Sequence, residues 1–312
     1  MTQSSFPRLV DVPVQVGHLS EQLSDPHVLH GATDVYIRSV GSPDECEAES
    51  LVFLRPQPHE ELQEKVAACL AGVLIVNQLV KVRDDQTVLV CADPLSLFIK
   101  SLHLLFNDQA QASVHKTAVV SPDAYIAPGV SIGAYSVIEA GVTIEAGCQI
   151  GAHCLIGGKA HIAKGAVIQN NVSIGGVGLG FHFDTNGQRL FFPHLGAVKI
   201  GTNAVIGSGC VIVRGQLSDT VIGTGSRLGN LVNVGHNVRI GVNCAISSGT
   251  SIAGGVHIGD ECNIGVGVSF NAKITVADHC KIGMGSVVTK SLPPGVSVFG
   301  NPAKPLPTMG NF

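Results

Sequence analysis

A chain of 312 residues with a formal charge of −4, only 13% charged residues and no long basic run is not built to follow a nucleic-acid backbone or an anionic membrane surface. Hydrophobic residues reach 45% while aromatics fall to 4% and Trp is absent, so a sizeable core must be assembled from Ile, Val and Ala. Met1 to Gly17 lacks the basic and apolar regions of a secretion signal, and no apolar run approaches the roughly 20 residues of a membrane span, which points to a cytoplasmic protein with no membrane span. Nine cysteines without a C-x-x-C pair read as reduced thiols rather than as disulfides or a metal site.

Residues 1–112 show no short repeat and form a separate small α/β domain, suited to recognising a nucleotide sugar. Pro58 to Ala71 has helical apolar spacing with Glu60, Glu61 and Glu64 near its start. V-L-I-V-N and T-V-L-V-C read as short buried strands flanking R-D-D-Q, a hairpin-like turn, and Pro94 to Phe106 predicts a second helix.

Beyond this domain the chain has a period of six. Every sixth residue from Ile126 to Ile174 is Ile, a second series resumes at Ile200, Ile206 and Ile212, and a third runs from Ile222 to Val288, ending where Pro293 and Pro294 appear. Neither a helix nor a single strand has this period; three six-residue strands closing a triangular coil do. The prediction is a mainly β protein, a left-handed parallel β-helix over 113–292, in which a Gly or Ala after each aliphatic residue lets the chain turn the corner. Two residues before each aliphatic lies a second inward slot that admits small residues. Cys148, Cys154, Cys210, Cys244, Cys262 and Cys280 fall in it and read as small buried hydrophobes.

Two stretches break the register, 175–198 and 213–221, and such insertions in a solenoid are surface loops where binding and catalysis tend to sit. The first carries Phe181, Phe183 and Phe191 with His182, Asp184 and His194; Arg214 opens the second. Just after it comes N-V-G-H-N-V-R-I-G with His236. Acyl transfer to an amine needs a base such as a neutral imidazole and a backbone donor for the developing oxyanion, and His236 suits the first need. A zinc-dependent or non-catalytic β-helix is the competing reading. It would need three converging histidines, and His161, His182, His194, His236, His257 and His279 lack the carbonic anhydrase spacing.

From about His115 to Val288 the chain resembles the UDP-3-O-acylglucosamine N-acyltransferases, the hexapeptide enzymes of lipid A synthesis. The resemblance rests on H-K-T-A-V-V-S-P-D-A at His115, G-L-G-F-H-F-D around Gly178, V-R-G-Q-L-S-D-T at Val213 and G-N-L-V-N-V-G-H-N-V-R-I-G ending at Gly241. It implies His236 as general base, the Gly254 amide as oxyanion donor, Asn230 near the sugar or acyl groove, and Phe53 stacked on uracil. Phe181, His182, Asp184 and Arg214 join Phe53 as expected substrate-binding residues. The chain departs from that family at Gly229, where a carboxylate that could steer the histidine is missing and Asp219 or Asp184 would substitute. It departs again at Pro56, in place of an Asn, and at Asn271, in place of a second histidine.

The tail, 293–312, points elsewhere. Its G-N-P-A-K segment resembles the short-chain hexapeptide acetyltransferases, which implies that Gly300, Asn301, Pro302 and Lys304 line a coenzyme A site; the simpler reading is a polar cap closing the solenoid. The first expectation is therefore transfer from acetyl-CoA or another short acyl-CoA to the amine of a nucleotide-linked amino sugar for surface polysaccharide, by a homotrimer without a permanently bound cofactor. The alternative is the lipid A reaction itself, with a long 3-hydroxyacyl chain delivered by acyl carrier protein.

Overall fold

A computed structural model describes residues 8–106 and 112–305, so the last residues of the expected tail, 306–312, lie outside the described part. The chain divides into two units, 1–109 and 110–312.

The first unit is a six-stranded sheet of β1 (Arg8–Gln15), β2 (His27–His30), β3 (Tyr36–Val40), β4 (Ser50–Phe53), β5 (Val73–Val76) and β6 (Thr87–Cys91), in the order β1-β3-β4-β5-β6-β2. The inner pairs are parallel and the two edge pairs antiparallel. Alternation along the central strands feeds two apolar layers. Leu51, Val73, Ile75 and Leu89 pack with α1 (Val16–Gln22) and α3 (Pro94–Leu105), while Val52, Leu74, Val76 and Val88 pack with α2 (His59–Ala68). The Asp93 carboxylate accepts the Ser96 N–H at 3.1 Å and so caps α3, ahead of Pro94 in its first turn.

R-D-D-Q is not a hairpin. β5 and β6 run parallel, because both are buried on both faces as inner strands of a helix-covered sheet, and the connection between them passes back over the end of α2. There the Gln86 amide donates to the carbonyls of Val66, Cys69 and Ala71, and Arg83 Nη1 donates to Cys69 O at 2.8 Å.

The second unit is the triangular prism. Three parallel sheets of nine, eight and ten strands form its faces, and the aliphatic series meets itself every third strand, as in Ile138 beside Ile156 and Ile162 beside Ile200. Both insertions return in register: Ile174 pairs with Ile212, and Ile212 with Val234.

The corner glycines act differently from the expectation. A Cβ on Gly133 would stand 2.6 Å from the backbone N of Ala152, and one on Gly201 2.5 Å from that of Thr224, so glycine is required by the closeness of the next coil. The left-handed turn residue comes two places later, at Tyr135 (φ 59°) and Asn203 (φ 54°). The six prism cysteines are buried in their predicted slot, and each also donates its S–H to a carbonyl of a neighbouring coil, as Cys244 does to Gly259 O at 3.0 Å. Ser136 and Ser226 make the same bond with a hydroxyl at 2.7 Å, which explains why the slot favours Cys, Ser and Thr along with Ala and Val.

The prism also runs past Pro293. Leu292 bridges Val276, and Ser297–Phe299 pairs with Lys281–Ile282, because Pro293 and Pro294 occupy a turn in which no ladder donor is needed.

Candidate functional site

One edge of the prism carries the chemistry. The two insertions both leave from the first face and re-enter on the second, at Val198 and at Thr220, and His236 and Gly254 sit in the same turn one and two coils further on. Lys273 follows on the next coil and Lys290 after the last first-face strand, both exposed.

The turn itself presents the base. Val234 points inward, Gly235 lies against the next coil, Asn237 takes the left-handed conformation at φ 59°, and His236 between them faces outward. His236 Nδ1–H donates to Asn237 Oδ1 at 2.9 Å, which leaves the Nε2 lone pair free to accept a proton. Asn237 is held in turn by the second insertion: its Nδ2 donates to Ser218 O at 2.8 Å and Ser218 Oγ at 2.9 Å, and its Oδ1 also accepts the Gln216 N–H at 3.1 Å. The ring lies over Gly254, where an added Cβ would stand 2.5 Å from Nε2. Among the described residues the Gly254 N–H meets no acceptor.

The first insertion folds over this edge. Phe181–Phe183 and Arg189–Phe191 form an antiparallel hairpin, with the Arg189 guanidinium over the rings of Phe181 and Phe183 at 5.0 and 5.4 Å. Asp184 closes the hairpin by accepting the N–H groups of Asn186 and Gln188, each at 2.8 Å. His182, paired with Leu190, is exposed on the hairpin. The histidine that reaches the base is His194, whose ring stands edge-on to His236 with centroids 5.6 Å apart. His194 is buried, donates Nδ1–H to Phe192 O at 3.1 Å and finds no partner for Nε2; burial, and then the neighbouring His236, hold its imidazole below the ordinary value, so it stays neutral.

Several expected ligands turn out to hold the scaffold. Arg214 Nε donates to Gly196 O at 2.6 Å, binding one insertion to the other. Asp219 does not steer His236: it accepts from Ala197 N–H at 2.8 Å and from Lys199 Nζ at 2.7 Å, and Lys199 keeps its carboxyl below the usual range. Asp184 is occupied by its own hairpin, so neither carboxylate does what Asn237 does. Asn230 lies on another edge, between the third and first faces, where its Oδ1 accepts the Ser208 N–H at 2.9 Å.

Gly300, Asn301 and Pro302 form a turn after the last third-face strand, and Lys304 returns along that strand opposite Phe299. Gly300 O accepts the Val287 N–H at 3.0 Å, the bonding of a cap. Phe53, in the first unit, packs on Phe98 at 4.9 Å and lines a cavity of about 650 Å³ with Arg55, Gln57 and Lys65. Among the described residues no three His, Cys, Asp or Glu side chains converge as a metal site.

Sequence reasoning passed over Asn237 and left His194 without a role. The signal for the first was the Asn directly after His236, at a place in the repeat where a left-handed residue falls and a side-chain oxygen stays close to its neighbour's ring.

A parallel β-helix of hexapeptide coils with a tautomer-fixed histidine over a free glycine amide defines an acyltransferase of the hexapeptide class. Residues 123–146, 142–176, 231–272 and 255–290 match the family described as the hexapeptide repeat of succinyl-transferase. UDP-3-O-acylglucosamine N-acyltransferase of Pseudomonas fluorescens is 36% identical over 267 residues, covering 77% of this chain and 72% of the relative. The enzyme of that name from Bordetella pertussis is 36% identical over 249 residues, covering 70% and 68%. Among solved structures, the UDP-N-acetylglucosamine acyltransferase of Francisella novicida is similar at a TM-score of 0.57 and 27% identity, covering 62% of this chain and 70% of that one. LpxA from Acinetobacter baumannii gives 0.55 and 29%, covering 62% and 73%.

The chain belongs to the UDP-3-O-acylglucosamine N-acyltransferase family and is an enzyme of acyl transfer to a sugar amine. The names of its relatives favour the alternative drawn from the sequence over the short-chain reading.

Proposed function

We propose that the protein moves an acyl group from a pantetheine-linked thioester to the glucosamine amine of UDP-3-O-acylglucosamine. The observation that carries this is the His236 ring, fixed by Asn237 with Nε2 open, lying over the unpaired amide of Gly254. His236 Nε2 takes a proton from the amine as nitrogen attacks the thioester carbonyl carbon. The C–N bond forms, the carbonyl electrons pass to oxygen, and the Gly254 N–H meets that oxyanion. Collapse breaks the C–S bond, and the departing thiolate takes the proton from the imidazolium.

Lys273 and Lys290, exposed on the catalytic edge, suit the phosphate of a pantetheine arm better than the tail does, since Gly300 to Lys304 stand on the opposite face. Phe53 is the proposed stacking platform for the uracil ring. A homotrimer is favoured by the apolar side chains that the insertions leave exposed, Val177, Leu179, Phe191 and Leu195 among them. The nucleotide sugar and the thioester place the reaction in the cytoplasm, and among the described residues no helix is long and apolar enough to cross a membrane.

The test is amide formation from UDP-3-O-acylglucosamine with 3-hydroxyacyl carrier protein and, separately, with acetyl-CoA. Turnover with the first donor, reduced on the order of a hundredfold or more in His236→Ala, is expected. Turnover only with acetyl-CoA on an unacylated nucleotide amino sugar restores the short-chain reading.

A further inference from the structure

Of the nine cysteines, eight are buried and one, Cys46, is half-exposed. Cys46 lies in the connection between β3 and β4, and Cys69 directly follows α2; their sulfurs stand 3.5 Å apart. Both thiols face the same carbonyl, that of Pro43, at 3.6 and 4.0 Å. Both also line the 650 Å³ cavity that holds Phe53, Arg55 and Lys65. The prism cysteines differ: each is enclosed in the core and bonded to a carbonyl.

We propose that Cys46 and Cys69 form an oxidisable dithiol, a modification site at which a peroxide closes a disulfide across the wall of the Phe53 cavity. Cys46, the accessible sulfur, attacks as thiolate: its S–O bond forms as the peroxide O–O bond breaks, giving a sulfenic acid and hydroxide. Cys69 sulfur then attacks the Cys46 sulfur, the S–O bond breaks, and the Cys69 proton leaves with the hydroxide as water. Two thiols are oxidised and one peroxide is reduced to two waters. Burial pushes the Cys69 thiol up to about 11, which suits it to the resolving rather than the attacking role.

Bond formation needs the sulfurs to close from 3.5 Å to about 2.05 Å, a movement within reach of side-chain rotation. The bond ties the β3–β4 connection to the end of α2 and draws Pro43 and Cys46 into the cavity. Its effect on ligand binding rests on the nucleotide reading of Phe53; formation of the bond does not.

The full-length protein is treated with hydrogen peroxide, digested without reduction and mapped by mass spectrometry, and UDP binding is measured calorimetrically before and after. A Cys46–Cys69 peptide that dithiothreitol removes is expected, with UDP affinity at least threefold lower in the oxidised form. In Cys69→Ser, dimedone is expected to trap a sulfenic acid at Cys46. No cross-linked peptide and no dimedone adduct at Cys46 overturns the site; a cross-link with unchanged UDP affinity overturns its hold on the cavity. UDP that fails to bind even the reduced protein counts against the nucleotide reading instead.

Discussion

The imidazole of His236 rests against Gly254 of the next coil so closely that a Cβ on the glycine would stand 2.5 Å from Nε2 and 2.7 Å from Cε1. Gly254→Ala therefore displaces the base while leaving the prism ladder intact. We expect kcat/KM to fall about a hundredfold, the scale of a misplacement of about 1 Å at a reacting centre. Thiol release and far-ultraviolet circular dichroism check this together; an active, normally folded alanine variant removes the contact from the mechanism.

Asn237 separates tautomer control from turn geometry. Asn237→Gly keeps the left-handed backbone and deletes the acceptor of His236 Nδ1–H, so turnover is expected to drop tenfold or more with little change in thermal midpoint. Asn237→Asp restores the acceptor and adds a negative charge that favours the imidazolium. Because the base must be neutral to act, the acid limb of the kcat/KM profile should then move to higher pH. An unmoved limb would count against the contact.

His194 makes the insertion acid-sensitive. Its folded value is depressed by burial, so the unfolded chain binds the proton more readily, at about pH 6.5, and stability falls as pH drops below that value. Urea unfolding at pH 7.5 and 5.5 should show a larger loss for the wild type than for His194→Gln. Equal losses would mean that His194 titrates alike in both states.

The core and the insertions were legible because they are repeat properties: a period of six leaves its mark at every coil, and a break in it is visible without knowing what the loop does. The corner glycines were seen and their reason was not, since the clash they avoid is with a residue about 18–23 positions away. Asn237 was missed for a similar cause: one side-chain oxygen bonds its neighbour's ring, and its amide bonds an insertion that the period cannot position. Arg214 and Asp219 read as ligands because a charge in a loop beside a catalytic histidine invites that reading. Only the packing of one insertion on the other reveals that both charges are spent there. The R-D-D-Q turn was misjudged because two apolar strands around a polar tetrapeptide look alike whether they run parallel or antiparallel.

The apolar side chains of the insertions bear on assembly. Leu179 is 81% exposed and Phe191 68%, an unfavourable arrangement unless a second copy covers them. Phe191→Glu is expected to shift the protein from trimer toward monomer in sedimentation equilibrium and to lower activity in step. A fully active monomer would show that one prism suffices.

Both excursions rejoin the prism in the register they left, with Ile174 beside Ile212 and Ile212 beside Val234. The loops are therefore mechanically decoupled from the spine: residues can be gained or lost in them without moving His236 relative to Gly254, whose spacing is set by the coil alone. What the enzyme accepts and how it performs the transfer become separately inheritable traits, the first written in segments free to drift and the second in a lattice that tolerates almost no drift at all.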